Sequence, residues 1–204
     1  MKRKLLSIFA ILLTIFPVLI ALLWHIHNHG LPNDDAAQYM ATAYQQYSVF
    51  KSGSFSDGLQ ALYQIRGWRP TLFPLLATPS LCFFGGNVIA AAGGALILCF
   101  LMCQIYFYAI ARHYLDSLRA ALAAAFVGSC PLMLYYSTVF FSEIAWLAFF
   151  AGFVFHYLKS DNFFRPFHAA IAGIMLGLAT LVRPAETFIM TILPLAAIIN
   201  SALL

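Results

Sequence analysis

The sequence predicts an all-α integral membrane protein, a multi-helix transmembrane bundle with one long polar loop near its start. Three observations carry that expectation. Of 204 residues, 63% are hydrophobic and 9% charged, with a mean hydropathy of +0.86, which is too little charge to coat a surface facing water. The apolar residues gather into runs of roughly bilayer length separated by short basic links. The stretch from Gly30 to Leu72 is the one long segment that cannot sit in hydrocarbon, and it holds Asp34, Asp35 and Asp57, three of the seven acidic residues. The net charge of +4 is scattered over short loops and lacks the clustered stripe that nucleic acid requires, so the expected partner is the lipid bilayer, with no nucleic acid.

Taken in order, Met1 to Lys4 is a basic start and Leu5 to Trp24 a run of 20 apolar or small residues. That length crosses a hydrocarbon core of ~30 Å. A signal peptide has a shorter apolar core and a small-residue cleavage site, so the run reads as an uncleaved anchor with a cytoplasmic N-terminus. His25, His27 and His29 close it. They align only on an extended backbone, and as a group they read better as interfacial polar residues than as a metal site. Asn33 to Phe50 reads as an amphipathic helix capped by Asn33, with Asp34 and Asp35 in the first turn, where the helix dipole favours anions. Tyr39, Met40, Ala43, Tyr44 and Tyr47 form its apolar stripe, suited to the membrane interface. Ser52 to Gly58 is a turn-rich link and Leu59 to Ile65 a second short helix, leading into Arg66-Gly67-Trp68-Arg69-Pro70.

Thr71 to Phe84 is short for a span, contains Pro74 and Pro79, and is followed by Gly85-Gly86, which suits an interfacial or re-entrant helix. Positive charge arbitrates. With this segment outside, the spans fall at about 5–24, 88–111, 120–136, 144–158, 169–182 and 187–204, and the outer loop at 25–86. Seven basic residues (Lys2, Arg3, Lys4, Arg112, Arg119, Lys159, Arg165) then lie inside and four (Lys51, Arg66, Arg69, Arg183) outside. If the segment crosses, the balance reverses, so the positive-inside bias selects the first topology in an inner (plasma) membrane. Asp34, Asp35, Arg66, Arg69, Glu143, Arg183 and Glu186 then share the outer face. Ionisable groups near membrane depth are functional candidates, since each costs about 2.5–3.5 kcal/mol at a helix centre. Cys82, Cys99, Cys103 and Cys130 lie in apolar runs without paired spacing, which indicates packing residues.

The order of several short motifs resembles a known family. Asn33-Asp34-Asp35-Ala36-Ala37-Gln38-Tyr39 after an N-terminal span, then Arg69-Pro70-Thr71-Leu72, then Phe84-Gly85-Gly86, is similar to the polytopic GT-C glycosyltransferases. The closest branch in pattern is the protein O-mannosyltransferase and lipid A aminoarabinose transferase group, also described as dolichyl-phosphate-mannose-protein mannosyltransferase-like. The stretch from Tyr135 to Glu143 resembles that family's second acidic position, and Gly177-Leu178-Ala179-Thr180-Leu181-Val182-Arg183-Pro184 its glycine-leucine-alanine element. Two departures stand out: the acidic pair is Asp-Asp where relatives have Asp-Glu, and Thr71 replaces a second proline. The chain then reads as one membrane domain over 1–204, the N-terminal part of a longer GT-C enzyme.

That resemblance implies a polyprenyl-phosphate-linked sugar donor, a glycan, lipid or protein acceptor, and inversion at the anomeric carbon. It places the base that takes the acceptor hydroxyl's proton at Asp34, with Asp35 orienting the acceptor or a cation, although which carboxylate does which stays open. The plainer reading is that both cap the helix. Leaving phosphate needs fixed positive charge, which arginine supplies as a planar fork of donors. Arg69 matches the family's basic position, with Arg66 and Arg183 next; snorkelling toward headgroups is the alternative for each. Glu143 assists the base, binds a cation or holds an arginine, and as a membrane-edge carboxylate it needs a partner. A divalent cation is an open cofactor with no ligand set assigned. A different class, a lipid-carrier flippase, transporter subunit or scaffold, is disfavoured because transporters place charge at the bilayer midplane, often within repeats.

Overall fold

The structure, a computed structural model, describes residues 2–28, 33–53, 56–57, 60, 72–161 and 163–192. Among the described residues every regular element is helical. The helices are α1 (Lys2–His27), α2 (Asp34–Ser52), α3 (Leu72–Phe83), α4 (Val88–Tyr114), α5 (Ser117–Gly128), α6 (Pro131–Thr138), α7 (Ser142–Ser160) and α8 (Pro166–Val182). Residues 184–192 form a further helical stretch. The stretch Leu5–His27 within α1 and the whole of α4 are long and apolar enough to cross a membrane, so the described residues form an all-helical fold of membrane type.

The ends of these helices follow from their capping chemistry. Asn33 caps α2, its Oδ1 accepting from Ala36 N at 2.9 Å, and Asn87 caps α4 by accepting from Ala90 N at 3.1 Å. Each thereby satisfies a backbone donor that has no partner inside the helix. Asp116 caps α5 through Leu118 N and Arg119 N. The Arg119 amide bond, with the nearby Arg119 and Arg112 charges, holds its carboxyl below the usual range. Between α3 and α4 the chain reverses through Gly85 (φ 60) and Gly86 (φ 89), a left-handed pair that side chains with a Cβ resist.

One sequence expectation meets a difference here, and a second keeps its expected short length. The span expected over 120–136 is broken: α5 and α6 meet at a bend of 64°. Pro131 opens α6 without an N–H to give, and Cys130 before it is held out of the helical region (φ −57, ψ 133), which interrupts the helix at this point. The segment expected at 71–84 is α3, whose 12 residues are too few for a span. It packs its Phe73, Ala77 and Leu81 face inward, against α2 and α4. The second short helix expected at Leu59–Ile65 lies outside the described residues except for residue 60.

α4 is the hub, touching α1, α2, α3, α5, α6 and α7. Its buried Ala91, Ala92, Gly93 and Ala95 let neighbouring backbones approach closely, which is how helices gain contact where no water drives association. Cys99 and Cys103 are buried free thiols on the same helix. Gln104, fully buried, spans three helices: with its amide turned to donate, the nitrogen sits 3.0 Å from Ala124 O on α5 and 3.3 Å from Thr14 O on α1.

Candidate functional site

Helix directions bring several ends to one rim. His25, in the last turn of α1, lies 2.9 Å through Nε2 from Ser137 O at the end of α6. A Cβ on Gly93, near the start of α4, would stand 3.1 Å from its Nδ1, so a larger residue there would press on the ring. α7 starts at this rim and α8 ends there. Of the expected apolar stripe of α2, Tyr39, Ala43 and Tyr47 are buried, Met40 is half-buried and Tyr44 is exposed; Ala36 and Gln46 are buried beside them. An aromatic cluster fixes the register. Tyr39 meets Phe73 edge-on at 5.1 Å, and Phe73 lies 4.5 Å from Phe140, which is 2% exposed in the α6–α7 link. Asp35 lies one turn before Tyr39 and Glu143 three residues after Phe140, so this cluster brings both carboxylates to one cavity.

The result is a cavity of about 540 Å³ whose polar lining is Asp35, Ser142, Glu143, Arg183 and Glu186, with Tyr39, Tyr135 and Tyr136 among its walls. Arg183 is its electrostatic centre. One guanidinium nitrogen lies 2.6 Å from Glu143 Oε1 and the other 2.5 Å from Glu186 Oε1. Partial burial by itself lowers the arginine's proton affinity; the charges of Glu143 and Glu186 outweigh that and raise it above the ordinary value. Arg183 is therefore a fixed cation, and the partner that Glu143 needs is supplied across the α7–α8 gap. Glu143 Oε2 is buried, with no hydrogen-bond partner among the described residues.

The backbone around Arg183 is pinned from beneath. Thr187, 2% exposed, donates to Arg183 O at 2.8 Å and accepts from the Trp146 indole N–H of α7 at 2.9 Å. This clasp ties the helical stretch after α8 to α7 and so holds Arg183 opposite Glu143. Nothing in the sequence marked it, because a threonine and a tryptophan on apolar helices have ordinary packing explanations.

On the other side of the α2 start lies a second cavity of about 600 Å³, mainly apolar, lined by Trp24, His25, Met40, Leu96, Val139 and Phe140 among others. Tyr135 lines both cavities. Of the residues singled out from sequence, Asp35, Glu143, Arg183 and Glu186 come together. Asp34 is exposed at the start of α2 and is not among the lining residues. Arg66 and Arg69 lie outside the described residues, as does His29. His27 contacts Leu23 O on its own helix, and no cluster of three metal-ligating side chains occurs among the described residues.

No family model, curated protein or solved structure matches the chain.

Proposed function

We propose that the chain is a membrane glycosyltransferase that moves a sugar from a polyprenyl-phosphate donor to an acceptor hydroxyl on the outer face, with inversion. The observation that carries the reading is the pair of cavities meeting at Tyr135, one acidic and one apolar. A lipid-linked sugar has the same two halves, a polar head beside a hydrocarbon chain. Asp35 is assigned as the base: it lines the acidic cavity, and a carboxylate accepting the hydroxyl proton as the bond forms contributes about 10²–10⁴-fold.

Charge balance sets the roles of the other groups. The described cavity carries three carboxylates against one guanidinium already bridged by two of them. Arg183 then orders Glu143, and the phosphate's charge falls to Arg66 and Arg69, as the resemblance implies, or to a bound cation. The test is an assay of the protein in proteoliposomes with labelled polyprenyl-phosphate monosaccharides. Asp35→Asn should lower transfer about 10²-fold or more, and Asp34→Asn less than about 10-fold. Full turnover by Asp35→Asn removes the assignment; no turnover by the unmodified protein with any donor favours a carrier role.

A further inference from the structure

At the end of the bundle away from the rim, His156 of α7 and His168 of α8 face each other with Nδ1 atoms 3.0 Å apart and rings 5.2 Å between centroids. His156 lies one turn before the end of α7 and His168 in the first turn of α8. Both rings are partly exposed, and each lies three residues from an exposed cation, Lys159 or Arg165, that marks the aqueous edge where protons reach them. We infer that this pair is an acid-released latch between α7 and α8.

A contact of 3.0 Å between two imidazole nitrogens requires a proton on one and a lone pair on the other. One added proton keeps the bond, because an imidazolium N–H still donates to the neutral partner, and more strongly. A second added proton leaves two N–H groups and two positive charges face to face, and the contact must open. The contact therefore survives one added proton and opens when both rings carry one.

The surroundings offer little to offset that charge. Across the bundle, Tyr106 of α4 is the ionisable side chain in ring contact with His156, at 6.0 Å, and a phenol carries no charge at acid pH. Phe155 and Phe167 flank the two rings. Among the described residues no carboxylate bridges either ring. The connecting turn carries Lys159, Asp161 and Arg165, all exposed. Asp161 and Phe163 there have positive φ (53 and 68), and α7 and α8 pack along their length beyond the pair, so the opening is local.

Hydrogen–deuterium exchange of the protein in nanodiscs tests this at about pH 7.5 and about pH 4.5, after correction for intrinsic exchange. Amides in 153–158 and 168–172 should exchange faster at the lower pH, by up to about tenfold per pH unit once the second proton binds. His168→Gln keeps a hydrogen-bonding side chain without the second charge and should abolish the acid response while leaving exchange slow at both values. His156→Gln should do the same and serves where His168→Gln fails to fold. His25, His27, His29 and His113 remain in both variants, so an acid response surviving either substitution, or none in the unmodified protein, overturns the latch.

Discussion

At the residue scale the most informative group is Arg183, because its position converts two edge carboxylates from a cost into a fixed arrangement. An arginine bridging Glu143 and Glu186 uses both ends of its fork. Replacing Glu143 by Gln removes the charge but keeps the shape, leaving Arg183 bound to Glu186 alone. The expected loss is about 1–3 kcal/mol of stability, read as a lower melting temperature in detergent; no change would mean that solvent screens the pair fully. Thr187→Val should also lower stability, since the Trp146 indole N–H loses its acceptor and the Arg183 carbonyl keeps only the backbone N–H of residue 187. Much of this site was legible from sequence, because Asp35, Glu143, Arg183 and Glu186 are ionisable groups at the ends of apolar runs, where charge is costly. The distinction between Asp34 and Asp35 was not legible. Adjacent helical residues differ by about 100° in direction, and only packing of Tyr39 on Phe73 and Phe140 decides which carboxylate meets the cavity.

Among the elements, α5 and α4 show how little room this fold leaves. Gly128, at the end of α5, faces the fully buried amide of Gln104, and a Cβ there would stand 2.6 Å from Gln104 Cδ. A flexible side chain ordinarily yields to such a contact. Gln104 cannot yield cheaply, since moving it forfeits its reach to Ala124 O and Thr14 O in an apolar surrounding. Gly128→Ala is expected to destabilise by about 1–3 kcal/mol, and Gly128→Ala with Gln104→Ala to recover part of that loss in a double-mutant comparison. Additive losses in the double variant would show that the two residues are not in contact. Sequence patterning located these helices because apolar runs, Asn caps and Pro-Gly punctuation are local signals. It treated 120–136 as one span, since hydropathy averages over Gly128-Ser129-Cys130-Pro131 while backbone geometry does not.

Across the whole molecule the governing asymmetry is electrostatic. α7 starts at the acidic cavity and α8 ends there, so the cavity end carries Asp35, Glu143 and Glu186. The other ends of α4, α7 and α8, with the start of α5, carry Arg112, Arg119, Lys159 and Arg165. At 27 residues α4 is about 40 Å long, enough to set these two charge sets on opposite faces of a bilayer. The positive-inside bias predicts the basic end inside a membrane with a negative inner surface, and with it an acidic cavity on the outer side. In a background with the four natural cysteines replaced, Ala185→Cys should react with a membrane-impermeant maleimide from the outside of sealed cells. Asp161→Cys, in the α7–α8 turn, should react only after permeabilisation. Labelling of both from the same side would contradict a bundle that crosses the membrane between its charged ends. Labelling with the sides exchanged would keep the bundle but move the cavity to the cytoplasmic face, where a donor presented on the outer leaflet could not reach Asp35.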